Sequence, residues 1–151
     1  MIAYHFVGST LRDGSPVPAD GVKLTYQGTP ILCQRGLHFS LDPFDALQYA
    51  PGPILCKVDY SGTVVMGGDK GVCTIREILA RVDATDLLRY FARMEALRVA
   101  HLWSPNDATL DFLMTGDEAL RAAAWAAAAA ATRADQRAFF NQLVAEAFEA
   151  A

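Results

Sequence analysis

The chain has 151 residues, 52% of them hydrophobic, and a formal net charge of -4, a size at which one domain buries its own core without metals or disulfides. Cys33, Cys56 and Cys73 are odd in number and lack short-range pairing, which argues against a secreted disulfide framework and a zinc ribbon. No bulky apolar run is long enough to span a bilayer, no basic-then-apolar leader opens the chain, and from His101 onward three arginines (Arg121, Arg133, Arg137) face seven acids (Asp107, Asp111, Asp117, Glu118, Asp135, Glu146, Glu149), so a cytoplasmic protein with no membrane or nucleic-acid partner is expected.

Ile2 to Val7 is almost wholly apolar or aromatic and stops at Gly8-Ser9, as a strand covered on both faces should. Leu11 to Gly21, with two Asp-Gly or Gly-containing turns and two prolines, reads as a loop. Val22 to Tyr26 alternates as a half-exposed strand, and Gly28-Thr29-Pro30 leads to a short run, Ile31 to Cys33, that would complete a hairpin. Asp42 followed by Pro43 and Asp45 marks a helix start, and the helix should last to about Tyr49, before Pro51-Gly52-Pro53. Ile54 to Val58 and Thr63 to Met66 read as strands on either side of a Ser61-Gly62 turn, with Gly67 to Gly71 a loop.

From there the expected period is helical. Thr74 to Ala80 reads as a short helix, and Asp83 to Asp86 caps a longer one whose face is Leu87, Leu88, Phe91, Met94, Leu97 and His101, near Trp103. Ser104-Pro105 opens a helix over Asn106 to Met114; Thr115 with Glu118 has capping-box spacing and opens an alanine-rich helix to about Thr132, followed by an amphipathic one over Ala134 to Ala150, continuous or separate. The expected fold is therefore α+β in one domain: a small antiparallel or mixed sheet with one short helix over residues 1–73, then helices over 74–151. The run Ala122 to Ala131 should be helical and able to approach another helix closely, within the chain or across a homo-oligomer.

Between Cys33 and Tyr49 the chain carries Cys33, Gly36, Leu37, His38, Phe39, Pro43 and Tyr49, followed by Gly62, Asp69 and Lys70. This pattern resembles a family of uncharacterised bacterial and phage proteins, some fused to pentapeptide repeats; the likeness covers about the first eighty residues, and alanine-rich relatives extend it through a segment like Leu87 to Trp103. The resemblance implies a non-catalytic interaction module of phage or prophage type that engages a host or virion protein, a host-defence inhibitor being one form. Tyr49, Asp69 and Lys70 are then the candidate ligand or partner surface. A structural or accessory virion protein assembling through its C-terminal helices is a further expectation.

A second likeness is to ADP-ribosyltransferase domains, in which a strand His, a segment leading into a helix that ends near a Tyr, and a late Glu form the site. It implies that His5 holds the nicotinamide ribose, His38 replaces a stacking tyrosine and Glu77 is the late acid, with NAD as cofactor; no cofactor is expected otherwise. A histidine at the stacking position and a Glu within an expected helix both depart from that template. The structural alternatives are as plain: His38 hydrogen-bonding backbone near a helix start, His5 half-buried in a strand, and His101 completing a helix face. No histidine pair has metal-site spacing, so no metal is expected. Gly67-Gly68-Asp69-Lys70-Gly71 lacks the spacing of a phosphate-binding loop, and Arg81, Arg89, Arg93 and Arg98, interleaved with Asp86 and Glu95, read as a solvated or salt-bridged face.

Overall fold

The structure, a computed structural model, is described for residues 1–124. The chain divides into two compact units, Met1–Leu88 and Arg89–Ala151. The first is built on a five-stranded antiparallel sheet with strand order β1-β4-β5-β2, in which β3 also pairs with β5. β1 (Ile2–Val7) is covered on both faces, as its run, apolar or aromatic but for His5, leads one to expect. Ala3 and Val7 join Phe39, Cys56, Val58, Tyr60, Cys73 and Ile78 in one core, against which Leu11 and Val17 of the following loop pack. Phe6 enters a second core with Ala46 and Ala84 on the other face. Strand alternation puts His5 on the Ala3 and Val7 side.

β4 (Ile54–Met66) and β5 (Gly71–Asp83) form one long hairpin, closed by a turn in which the Gly67 N–H donates to the Lys70 carbonyl at 2.8 Å. β2 (Lys23–Thr25) and β3 (Leu37–Phe39) lie along the other side of β5. Directly after β3, Ser40 and Tyr4 of β1 exchange both main-chain hydrogen bonds, at 2.8 and 2.9 Å. The sheet therefore curls until β1, β4, β5 and β3 close a ring around the first core, with the Phe39 and Tyr60 rings stacked at 3.9 Å inside it.

The α+β class and the strand-to-helix corner stand as expected: β3 leads to α1 (Pro43–Leu47), whose Phe44 N–H donates to the Asp42 carboxylate at 2.7 Å. Replacing Asp42 by Ala removes that cap and is expected to cost about 1 kcal/mol, measured by urea denaturation, with an unchanged midpoint refuting the assignment.

Five sequence expectations are corrected. Thr74 to Ala80 is not a helix but the middle of β5, so the β-rich part extends past residue 73 to Asp83. Ile75, Ile78 and Leu79 imitate helical spacing, yet pairing with β4 on one side and β2 on the other fixes the segment as strand. β2 pairs with β5 and forms no hairpin with Ile31 to Cys33, where Ile31 instead bridges Arg35. The two segments 54–58 and 63–66 are one strand, irregular between Ser61 and Val64, where Gly62 at φ +78 lets Thr74 Oγ1 approach and accept the Thr63 N–H at 3.0 Å.

α2 (Thr85–Arg98) starts where Asp83 accepts from both the N–H and the hydroxyl of Thr85. In the second unit it ends before His101, which lies exposed in the 3-10 turn Ala100–Leu102 rather than on the helix face, while Leu87 and Phe91 are exposed. α3 (Asp107–Thr115) is capped by Asn106 and closed by Gly116 at φ +71. The next helical residues begin at 118, and the fifth correction is that their cap is Asp117, which accepts from the Ala119 N–H at 2.9 Å; the Thr115 hydroxyl donates back to the Asp111 carbonyl. Most of the alanine-rich run and all of Ala134 to Ala150 lie outside the described residues. Among the described residues no helix is long and apolar enough to cross a membrane.

Candidate functional site

Three separate segments of the first unit meet at one place on its surface. The tight turn from Ile31 to Arg35 forces Cys33 to φ +64, a left-handed conformation uncommon for a residue other than glycine. Cys33 is exposed, and its main-chain N–H donates to His38 Nε2 at 3.0 Å. A ring nitrogen that accepts carries no proton, so the neutral imidazole of His38 holds its proton on Nδ1. Burial lowers the His38 pKa, and the positive charges of Lys70, Arg76 and Arg12 add to that, whereas a backbone hydrogen bond at Gly36 opposes it.

From the end of the α1 segment, the Tyr49 hydroxyl donates to Asp69 Oδ2 in the β4-β5 turn. Lys70 lies with Nζ 3.8 Å from the centre of the Tyr49 ring, within cation-π range. The bond to Asp69 raises the Tyr49 pKa. Partial desolvation pulls Lys70 down, but its contacts with the Cys33 thiol and the Tyr49 hydroxyl outweigh that and leave its pKa above the ordinary lysine value. Ammonium, phenol, carboxylate and thiol thus hold one another in place.

Behind this cluster, inside the ring of strands, lies a second group. Arg76 of β5 is 4% exposed, and its Nη1 donates to the His38 main-chain carbonyl. Desolvation lowers its pKa to about 10. His5 is lowered to about 3 by burial first, then by the charges of Arg76 and His38. His38 is therefore shared: its ring belongs to the surface cluster and its carbonyl anchors the interior arginine.

All of these residues lie within the stretch matched by a domain of unknown function, DUF7666, at residues 1–90. The chain belongs to the DUF7666 family. No curated protein and no solved structure matches it.

The DUF7666 domain brings Cys33, His38, Tyr49, Asp69 and Lys70 together although they are separated by up to 37 positions in sequence, from Cys33 to Lys70. It also sets His5 close enough to His38 for their charges to interact. Glu77 is placed elsewhere: it follows Arg76 on β5, so alternation turns it to the opposite face, where it meets Lys23 at 3.8 Å. Arg76 is the residue that sequence reasoning missed, because an arginine between Ile75 and Glu77 in an apparent helix gives no sign of pointing inward. Among the described residues, no group of His, Cys, Asp and Glu is arranged to hold a metal ion.

Proposed function

We propose that the chain is a non-catalytic protein-interaction module whose partner-facing surface is the cluster of Tyr49, Asp69 and Lys70 with Cys33 beside it. The observation that carries this reading is the mutual fixing of these side chains on three separate segments, with Tyr49 47% exposed. Exposed hydrogen bonds and cation-π contacts contribute only about 0.5–1 kcal/mol each to stability, so their energetic value to the fold alone is small. Held in one arrangement beforehand, however, the side chains lose less freedom when a partner docks, and Tyr is among the residues on which interfaces concentrate their energy. The likeness of the sequence pattern to phage proteins supports a host or virion protein as partner, with inhibition of a host defence as one form.

Affinity capture from host lysate tests it. The native chain is expected to retain a specific partner that Lys70→Glu and Tyr49→Ala lose by about tenfold, as removal of a central interface residue does, while both variants keep the native melting temperature. Equal retention by the variants, or no specific partner for the native chain, removes the proposal. Assembly through the C-terminal helices predicts instead a multiple of the chain mass by light scattering.

What favours a second reading, a degenerate nucleotide-binding relative of the ADP-ribosyltransferases, is the closeness of His5 and His38. The position of Glu77 leaves that reading without its late acid. Calorimetry with NAD separates the two: heat of binding together with a raised melting temperature supports the second.

A further inference from the structure

We infer that the recess at Arg76, bounded by His5 and the His38 segment, is a binding site for a phosphate-type oxyanion. The inference does not depend on the protein-interaction reading, since the groups that would hold the anion, Arg76 and His5, lie within the ring of strands, and Lys70 of the surface cluster enters only as a longer-range charge.

Arg76 occupies an inward position of β5, in register with Leu24 and Tyr60 and two residues before the buried Ile78. A buried guanidinium is costly unless an anion or a full set of acceptors compensates it. Here it has one acceptor, the His38 carbonyl, and among the described residues no carboxylate pairs with it. Every buried side-chain nitrogen and oxygen among those residues nevertheless has a partner. Nε and Nη2 of Arg76, which make no hydrogen bond within the described residues, must therefore lie where solvent reaches them. A water-sized space at the guanidinium edge follows, and His5, on the inward face of β1 yet only half-buried, borders the same interior.

The surrounding charge has one sign. The charged groups that act on His5 are Arg76 and His38, those that act on His38 are Lys70, Arg76 and Arg12, and none is a carboxylate. Those acting on Arg76 are the thiols of Cys56 and Cys73. Arg76 presents planar N–H donors suited to an oxyanion, and the neutral imidazole of His5 has one N–H to give. Arg12 and Lys70, both within electrostatic range of His38, bring the permanent positive charges to three. That charge favours a multiply charged phosphoryl group over a single carboxylate, and the mouth of a small closed sheet is a common place for a compact ligand.

The test uses the full chain near neutral pH, with histidine imidazole NMR and calorimetry reading titrations of inorganic phosphate, a nucleoside diphosphate and acetate. Either phosphate source is expected to move the His5 and His38 resonances saturably, and the tighter one names the physiological source. Acetate should bind about tenfold more weakly or not at all, and Arg76→Met should weaken phosphate binding by about tenfold or more, the effect of losing a charged hydrogen-bond donor. Should Arg76→Met fail to fold, Arg12→Gln at an exposed loop position keeps the proposal open to refutation, because it should weaken phosphate binding about threefold without changing the melting temperature. Absence of saturable shifts at millimolar phosphate, equal binding of acetate, or native-like phosphate binding by either variant overturns the assignment.

Discussion

Acidification from about pH 7.5 to about pH 4.5 is expected to cost the first unit about 2 kcal/mol through His5 alone. The imidazole has an ordinary pKa of 6.5 in the unfolded chain and about 3 in the fold, held down by burial and then by Arg76 and His38. Above the unfolded value both states are neutral and the histidine contributes no pH dependence. Between 6.5 and about 3 the unfolded chain takes up a proton that the folded one refuses, so stability falls with pH across that window. One pKa unit corresponds to about 1.4 kcal/mol, which gives an upper bound near 3 kcal/mol at about pH 4.5; the part of the His5 surface that meets solvent reduces the expected effect to about 2. His38, lowered mainly by burial, acts in the same direction. Urea denaturation of the native chain and of His5→Gln across this range isolates the effect, since the carboxylates of Asp13, Asp59 and Asp83, all held below their ordinary pKa, lose stabilisation in both proteins as the pH falls through their lowered values. Parallel pH profiles for the two proteins would rule out His5 as the acid-sensitive group.

How much of this was legible in the sequence depended on whether the side chains obeyed the period of the element that carries them. β1 was readable because its run is apolar or aromatic at every position but His5, and both faces are covered. The corner from Leu37 to the end of α1 was readable because Asp42 and Pro43 determine the helix start locally, without help from distant residues. β5 was not, and the reason is Arg76. A strand whose inward position holds an arginine breaks apolar alternation, and with Ile75, Ile78 and Leu79 spaced as on a helix the segment reads as one. The residue that conceals the strand is the same one that places a charge inside the ring. The surface cluster is partly legible, since Tyr49, Asp69 and Lys70 stand in one sequence pattern with Cys33 and His38. That Cys33 and Lys70 touch could not be read, because it depends on a left-handed residue in a tight turn and on the exact closure of the β4-β5 hairpin.

Gly36→Ala is expected to destabilise the first unit by about 3 kcal/mol and to disorganise the surface cluster with it. Gly36 sits at φ +111, a conformation in which an L residue costs about 1–3 kcal/mol. Space compounds the conformational cost: a Cβ would lie 2.6 Å from Val72 Cγ2, 3.0 Å from Pro30 Cβ and 3.3 Å from the Cys73 carbonyl oxygen. Val72 is fully buried and cannot swing away without disturbing the core, and overpacking of that kind adds about 1–3 kcal/mol. Because Gly36 lies between Cys33 and His38, any backbone shift that relieves the clash must also stretch the bond from the Cys33 N–H to His38 Nε2 and the anchor of Arg76 on the His38 carbonyl. Gly68→Ala provides the control, since a Cβ there meets nothing within 4 Å, and its stability should stay within about 0.5 kcal/mol of the native chain. Urea denaturation of both variants, with the His5 and His38 imidazole resonances as a local reporter, measures the difference. If Gly36→Ala loses no more stability than Gly68→Ala and leaves the His38 resonance in place, the 31–38 segment yields without cost and cannot be what holds the cluster and the interior arginine in register.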